Sequence, residues 1–292
     1  MNKNESTAWR IIKGILIILA GLILLVGINW IGKVTSPDTP QTNKNITMLF
    51  SSVGTILILY AIGRFLLPSG FVSMNLPDKY GIKHYLQGLA FGSGMILTYL
   101  ILALVLGGLS YQGLGKMTVL NIILYFLGFI LQGFKEELLV RGLIQGLIAR
   151  KSRLLSIILP SILFGLLHLG NDNFSYLAMI NTALIGLIFA FVTDLTGSLW
   201  LASAAHSIWN FLLGPFFGLY VSGIPMPESV FAFSPVAGKE VLSGGLYGPE
   251  AALLLTIILI LFLLPLVRAY ILKYKKQEVE QDLALPPSDE LN

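Results

Sequence analysis

The sequence predicts an all-α, polytopic membrane protein with about eight transmembrane helices. Three observations support this prediction. Hydrophobic residues make up 55% of the 292 residues and charged residues only 12%, whereas a soluble domain has about 25% charged residues. The hydrophobic residues also occur in long runs, most of them near the ~20 residues that cross a bilayer. These features exclude a water-soluble globular protein.

Eight apolar runs divide the chain. The first follows a basic start and lacks the small-residue cleavage pattern of a signal peptide, so we expect a retained anchor. We expect one membrane domain over residues 1–272, without the internal repeat of a transporter, and a short, disordered, polar cytoplasmic tail over residues 273–292. The runs are Ile11–Ile31, Ile46–Leu67, Leu86–Leu109, Thr118–Phe134, Leu154–Leu169, Tyr176–Thr193, Ser198–Leu213 and Ala251–Val267.

The basic residues predict the orientation of the chain in the membrane. Of the 19 Lys and Arg residues, most fall in loops on one side, and four fall on the other side: Lys33, Lys44, Lys116 and Lys239. Because cytoplasmic loops are enriched in Lys and Arg, we expect both termini in the cytoplasm and the protein in the plasma membrane. The net charge of +4 therefore reflects topology and does not indicate a nucleic-acid partner.

The absence of cysteine restricts the available chemistry. With no Cys in the chain, disulfides, thiolate metal sites and a cysteine nucleophile are excluded. Any reaction must use Ser, Thr, Asp, Glu, His or Lys.

Four charged residues are concentrated in Lys135–Arg141, inside a long apolar segment. If a single helix continues to the basic cluster at Arg150, Glu136 lies about 21 Å from the cytoplasmic end, at a rise of 1.5 Å per residue. Charges at that depth are costly and typical of functional sites. The next residue, Glu137, is four positions before Arg141, so we expect these two to pair and Glu136 to face a cavity.

Two histidines and an asparagine are predicted at a similar depth on two further helices. By the same helical rise, His168 lies about 22 Å from the cytoplasmic end, His206 about 14 Å and Asn210 about 20 Å. Two interpretations stay open. A carboxylate in a low-dielectric cavity can activate water, while imidazoles and an amide stabilise an oxyanion. Alternatively, a divalent metal such as Zn²⁺ is held by Glu136, His168 and His206.

Three sequence blocks in this region resemble the signatures of a known family. Glu136–Arg141, Phe164–His168 and His206–Asn210 are similar to the EExxxR, FxxxH and HxxxN motifs of the CPBP or Abi family. These are CAAX-processing and bacteriocin-processing intramembrane proteases, related to the Ras-converting CAAX endopeptidase and formerly classed as metalloproteases. The resemblance implies an eight-helix fold with a central polar cavity open to the cytoplasm, and a catalytic core at about residues 118–213.

The resemblance also implies roles for individual residues. Glu136 would be the general base. Three further side chains would hold the water or stabilise the oxyanion: His168, His206 and Asn210. Glu137 and Arg141 would support the site.

The expected function is therefore that of an intramembrane endopeptidase, which uses a glutamate-activated water to cleave a membrane-associated protein or peptide within the lipid bilayer. A transporter, or a non-catalytic scaffold or immunity protein, could use the same polar layer. The outer loop Gly214–Glu250 either lies on the membrane surface or covers the site. Substrate identity and oligomeric state are not indicated by the sequence.

Overall fold

The computed structural model describes residues 16, 19, 39–65 and 74–284. Apart from Leu16 and Leu19, the first predicted span lies outside the described residues, as does the end of the tail, residues 285–292. The helices are α1 (Gln41–Phe50), α2 (Ser52–Phe65), α3 (Gly81–Val105), α4 (Val119–Glu137), α5 (Gly146–Ala149), α6 (Arg153–Leu166), α7 (Tyr176–Thr196), α8 (Leu199–Phe211), α9 (Glu240–Ser243) and α10 (Leu253–Ala284). The strands are β1 (Leu109–Leu114) and β2 (Phe231–Pro235). Within the described ranges there are also two π-helices and a 3₁₀ turn: Leu138–Gln145, Leu212–Phe216 and Pro249–Ala251.

The predicted all-α membrane class is confirmed, since within the described residues five helices are long and apolar enough to cross a membrane. One of the expected spans is shorter than predicted. Helix α6 has 14 residues and is about 20 Å long, against a hydrocarbon core of ~30 Å. Helix α8 has 13 residues but continues directly into the π-helix Leu212–Phe216. The five long spans are Gln41–Arg64, Gly81–Val105, Val119–Ala149, Tyr176–Thr196 and Leu253–Gln277.

Hydroxyl side chains fix where four of the helices begin. The side chains of Thr118, Ser152, Ser175 and Ser198 accept backbone N–H bonds at the starts of α4, α6, α7 and α8. Such caps satisfy donors that the first helical turn leaves unpaired. Between α7 and α8, Gly197 adopts a φ of 65°, which glycine tolerates without strain. The chain can therefore reverse direction within two residues.

Helix α8, which carries His206 and Asn210, packs closely against α3 through glycines. A Cβ atom on Gly88 would lie 2.3 Å from the Leu201 carbonyl oxygen, and one on Gly92 would lie 2.4 Å from that of Ala205. Small residues at matching positions allow helix backbones to approach this closely in membranes. The position of α8 therefore depends on α3 having no side chains at these two sites.

The outer loop packs over one end of the helical bundle. Its strand β2 pairs antiparallel with β1, with a bulge between Tyr111 and Gly113. Asn45 Nδ2 donates to the Pro225 carbonyl oxygen at 3.1 Å. The Glu228 carboxylate accepts bonds from Thr42 and Asn121 at 3.1 and 2.8 Å. These contacts connect the loop to α1 and α4, so it covers this end of the bundle.

The last helix departs from the sequence prediction. Helix α10 continues to Ala284, so the first part of the expected disordered tail is helical. Arg153 lies over the Tyr274 ring at 4.2 Å, and Lys273 Nζ donates to the Asp194 carbonyl oxygen at 3.0 Å. Contacts with α6 and α7 thus anchor the beginning of the polar segment.

The α3–α8 contact predicts opposite effects for two neighbouring glycines. Gly92→Ala should lower the thermal midpoint of the purified protein in detergent, because overpacking costs about 1–3 kcal/mol. Gly94→Ala is the matched control: its Cβ meets no atom within 4 Å, so it should leave the midpoint unchanged or raise it. Equal midpoints for the two variants would contradict the packing argument.

Candidate active site

The core of the site is a buried ion pair at the end of α4. Arg141 Nη1 donates to Glu137 Oε1 at 3.1 Å, and both side chains are 0% exposed. The pair expected from the four-residue spacing is therefore present. Arg141 lies in the π-helix Leu138–Gln145 that follows α4, whereas the sequence predicted one continuous α-helix. Turns of this kind occur frequently at functional sites.

Arg141 also joins α4 to the two neighbouring helices. Its Nη2 donates to the Gly186 carbonyl oxygen of α7 at 3.0 Å, and its guanidinium lies 4.4 Å from the centre of the Phe164 ring of α6. A Cβ on Gly186 would lie 3.1 Å from Nη2. A cation over an aromatic face is stabilised where water is excluded. One guanidinium therefore connects the end of α4 to both α6 and α7.

Glu137 also fixes the orientation of His206. His206 Nδ1 lies 2.8 Å from Glu137 Oε1, the same oxygen that accepts from Arg141. A carboxylate paired with arginine is ionised and can only accept, so His206 Nδ1 carries the proton. The ring also stacks on Phe189, with 5.7 Å between centroids. The orientation therefore directs His206 Nε2 away from Glu137.

The neighbouring carboxylate, Glu136, faces the cavity. Its Oε2 lies 3.9 Å from His206 Nε2, and its Oε1 accepts a bond from Gln132 Nε2 at 2.6 Å. Gln132 Oε1 in turn accepts from Asn210 Nδ2 at 3.0 Å. A chain of two hydrogen bonds therefore links Glu136 to Asn210, with Gln132 between them.

His168 lies in the turn after α6, not inside the helix as the sequence predicted, because α6 ends at Leu166. Its Nδ1 lies 2.7 Å from the Phe164 carbonyl oxygen. A carbonyl oxygen accepts only, so Nδ1 carries the proton here too. Glu136 is within electrostatic range of both His168 and His206. Each imidazole thus has its Nδ1 occupied and its Nε2 available.

Lys135 adds a cation next to Glu136. Its Nζ lies 3.7 Å from Glu136 Oε1, and its side chain is 3% exposed. A buried carboxylate is far less costly beside a cation. The lysine therefore favours an ionised Glu136 in the cavity, as a base requires.

A cavity of about 610 Å³ extends from Glu136 toward the outer loop. The four predicted residues Glu136, His168, His206 and Asn210 all line it, so the structure brings them together. At its far end, Glu250 accepts bonds from the Ser222 backbone N–H and hydroxyl, both at 3.1 Å. Burial raises the pKa of Glu250 above its ordinary value, although these hydrogen bonds oppose the shift.

The arrangement does not match a metal centre. Among the described residues, no group of three or more His, Asp or Glu side chains is placed to hold a metal ion.

Sequence reasoning missed two contributions to the site. Gln132 precedes Glu136 by four residues, so the helical spacing of a polar residue in an apolar run could have indicated it. The bond between Glu137 and His206 joins residues 69 positions apart. No pattern within one helix predicts that contact.

The fold and the site together define a polytopic helical membrane protein with a buried Glu–His–Asn cluster facing a cavity. The family comparison identifies the class more closely. Residues 118–212, about one third of the chain, match the family model described as type II CAAX prenyl endopeptidase Rce1-like. The match begins at the cap of α4 and ends just after α8, so it contains all three sequence blocks.

This match confirms the resemblance found in the sequence. The match supports a membrane endopeptidase at the level of the family. Comparison of the chain with curated proteins and with solved structures gives no match.

The buried pair predicts a strong effect of removing the cation alone. Arg141→Met should destabilise the protein by about 3–5 kcal/mol, because it leaves the Glu137 carboxylate buried and unpaired. The double variant Glu137→Gln/Arg141→Met removes both charges, and its glutamine oxygen can still accept from His206, so it should be the more stable of the two. Thermal unfolding in detergent measures the difference. A double variant less stable than Arg141→Met would contradict this account.

Proposed function

We propose that the protein is an intramembrane endopeptidase in which Glu136 activates a water molecule for attack on a peptide bond. The observation that supports the proposal most directly is the 3.9 Å between Glu136 Oε2 and His206 Nε2 inside the cavity. This separation is too long for a direct hydrogen bond. One bridging water satisfies both atoms.

The protonation of the histidines defines how that water is held. With a single proton on each ring, placed on Nδ1 by the contacts with Glu137 and with the Phe164 carbonyl oxygen, each Nε2 accepts a hydrogen bond. A water between Glu136 and His206 therefore directs one proton at the carboxylate and the other at the imidazole. Its oxygen lone pairs then point away from both acceptors, toward the open volume where a peptide carbonyl would lie.

The reaction then proceeds without a covalent intermediate. The water oxygen bonds to the carbonyl carbon as Glu136 takes the water proton. The oxyanion that forms is stabilised by the Asn210 N–H that is not bonded to Gln132, and by the Lys135 ammonium. Glu136 then transfers the proton to the amide nitrogen as the C–N bond breaks. The products are a new carboxyl group and a new amine.

A carrier is less well supported as the alternative function. Transport across the membrane requires a polar path toward both ends of the bundle. The described cavity extends toward one end of the bundle. Toward the other end, the space is filled by buried residues of the π-helix such as Leu139 and Leu143, both 0% exposed. A non-catalytic scaffold or immunity protein would have no need for the ordered contacts around Glu136.

The first test replaces the proposed base. Glu136→Gln and Glu136→Ala should each reduce cleavage of a membrane-anchored candidate peptide by about 10²–10⁴-fold, the usual contribution of a general base. Glu240→Gln is the control: this carboxylate is exposed on the outer loop, so its loss should leave the rate unchanged. Folding is checked by size exclusion, and full activity in either Glu136 variant would exclude the mechanism.

The same preparation tests the metal alternative. Bound metal is measured in the active, purified protein, and the cleavage rate is then assayed after treatment with a chelator. The proposal expects substoichiometric metal and an unchanged rate. Loss of activity that Zn²⁺ restores would instead support the metal version with Glu136, His168 and His206.

A second test addresses Gln132 as a positioning residue. Gln132→Ala and Asn210→Ala should each lower kcat by about tenfold or more, since a hydrogen bond to a charged group contributes about 1.5–3 kcal/mol. Because the two side chains act through one hydrogen-bond chain, the double variant should lose less than the product of the single losses. Strictly multiplicative losses, or an effect confined to KM, would contradict the positioning role.

A further inference from the structure

The two ends of the helical bundle differ in structure. At one end, which we call the basic end, the segments Met74–His84, Ala149–Arg153, Asp194–Trp200 and Arg268–Gln277 meet. Leu199 N donates to the Asn75 carbonyl oxygen at 3.0 Å, and Trp200 Nε1 donates to that of Leu76 at 3.1 Å. At the other end, which we call the loop end, the outer loop and the turn after α6 meet, and Asn171 Nδ2 donates to the Ser222 carbonyl oxygen at 2.9 Å.

The two ends also differ in charge. Of the described Lys and Arg residues outside the site, three lie toward the loop end: Lys44, Lys116 and Lys239. The others lie toward the basic end and are Arg64, Lys79, Lys83, Arg150, Lys151, Arg153, Arg268, Lys273, Lys275 and Lys276. Because loops rich in Lys and Arg stay in the cytoplasm, this asymmetry directs the basic end to the cytoplasm.

The cavity extends toward the loop end. Its lining reaches the exposed residues Gln41, Gly170 and Asp172, and includes the loop segment Ile224–Met226. Among the residues that the structure describes, none of the lining comes from the basic end. On the cytoplasmic side of Glu136, the fully buried Arg141 and its neighbours in the π-helix fill the space.

We infer that the active site receives its substrate from the non-cytoplasmic face of the membrane, through a mouth near Gln41 and Asp172. That the molecule entering the cavity is a substrate rests on the proposed function. The direction of the opening follows from the distribution of Lys and Arg and from the residues that line the cavity. It reverses the cytoplasmic opening that the family resemblance implied.

The lining indicates the chemical class of substrate. The mouth carries polar and charged side chains, including Gln41, Lys44 and Asp172, whereas the inner walls add large apolar side chains such as Phe129 and Trp209 beside the catalytic cluster. An extended polypeptide segment on the non-cytoplasmic face fits this gradient, with apolar side chains next to the scissile bond and polar residues beyond them. A prenylated C-terminal tail in the cytoplasm would have to reach Glu136 from the closed end.

The absence of native cysteine makes the direction of the opening measurable independently of activity. Single-cysteine variants of the full chain are treated with a membrane-impermeant maleimide in intact cells and again after permeabilisation. Asp172→Cys and Gln41→Cys report on the mouth, Glu240→Cys on the outer loop, and Lys151→Cys on the basic end. Size exclusion identifies any variant that fails to fold, and the second mouth position then serves in its place.

The expected pattern is labelling of both mouth positions and Glu240→Cys in intact cells, with Lys151→Cys labelled only after permeabilisation. Mouth positions that label only after permeabilisation would overturn the inference, whatever the activity of the protein. The substrate is tested with one candidate segment fused on either face of a single-pass reporter, with Glu136→Gln as the blank. Cleavage restricted to the cytoplasmic reporter would also overturn the inference, whereas cleavage of neither reporter would count against the proposed function, with the labelling result still decisive for the opening.

Discussion

Separating an arginine and a carboxylate from water is expensive, and this protein does so at the centre of a membrane domain. The cost is offset because Glu137 and Arg141 bond directly and because each of them also contacts a further group. Arg141 reaches the backbone of α7 and the Phe164 ring of α6, while Glu137 holds the ring of His206 on α8. Four helices thus meet at one ion pair. The geometry of Glu136 toward His206 is set by this pair, because adjacent residues of one turn carry the two carboxylates.

The division of labour between the two glutamates follows from their angular positions. Glu137 points into the packed interior, where its side chain is 0% exposed, and has a structural role because it binds Arg141 and His206. Glu136, about 100° away around the helix, points into the cavity and is left to interact with water. Two neighbouring residues of the same type therefore have different electrostatic surroundings: one has a rigid arginine partner, whereas the other has a lysine, an amide and the open space of the cavity.

Much of this could be predicted from the sequence because it depends on local spacing or on apolar content. The membrane class follows from the apolar runs, and the Glu137–Arg141 bond follows from helical periodicity. The boundaries around His168 could not be predicted, since the end of α6 is set by a turn that packs against the outer loop. The contact between His206 and Glu137, and the role of Gln132 between Glu136 and Asn210, depend on how α4 and α8 pack. That packing rests on Gly88 and Gly92, whose importance appears only when the neighbouring backbone is known.

The shortness of α6, which exposes Leu155, Leu159 and Ile162 on its outer face, has a consequence for the lipid around the protein. A bilayer next to hydrophobic segments shorter than its own core responds by thinning, at a cost of a fraction of a kcal/mol per ångström of mismatch. Helix α6 borders the cavity through Phe164, so the membrane is expected to be thinnest on this side of the catalytic residues. Headgroups and interfacial water then approach the site laterally, and a substrate helix entering the thinned zone loses part of its apolar surroundings. The bilayer itself would then help to expose a peptide bond that a thicker membrane keeps in a helix.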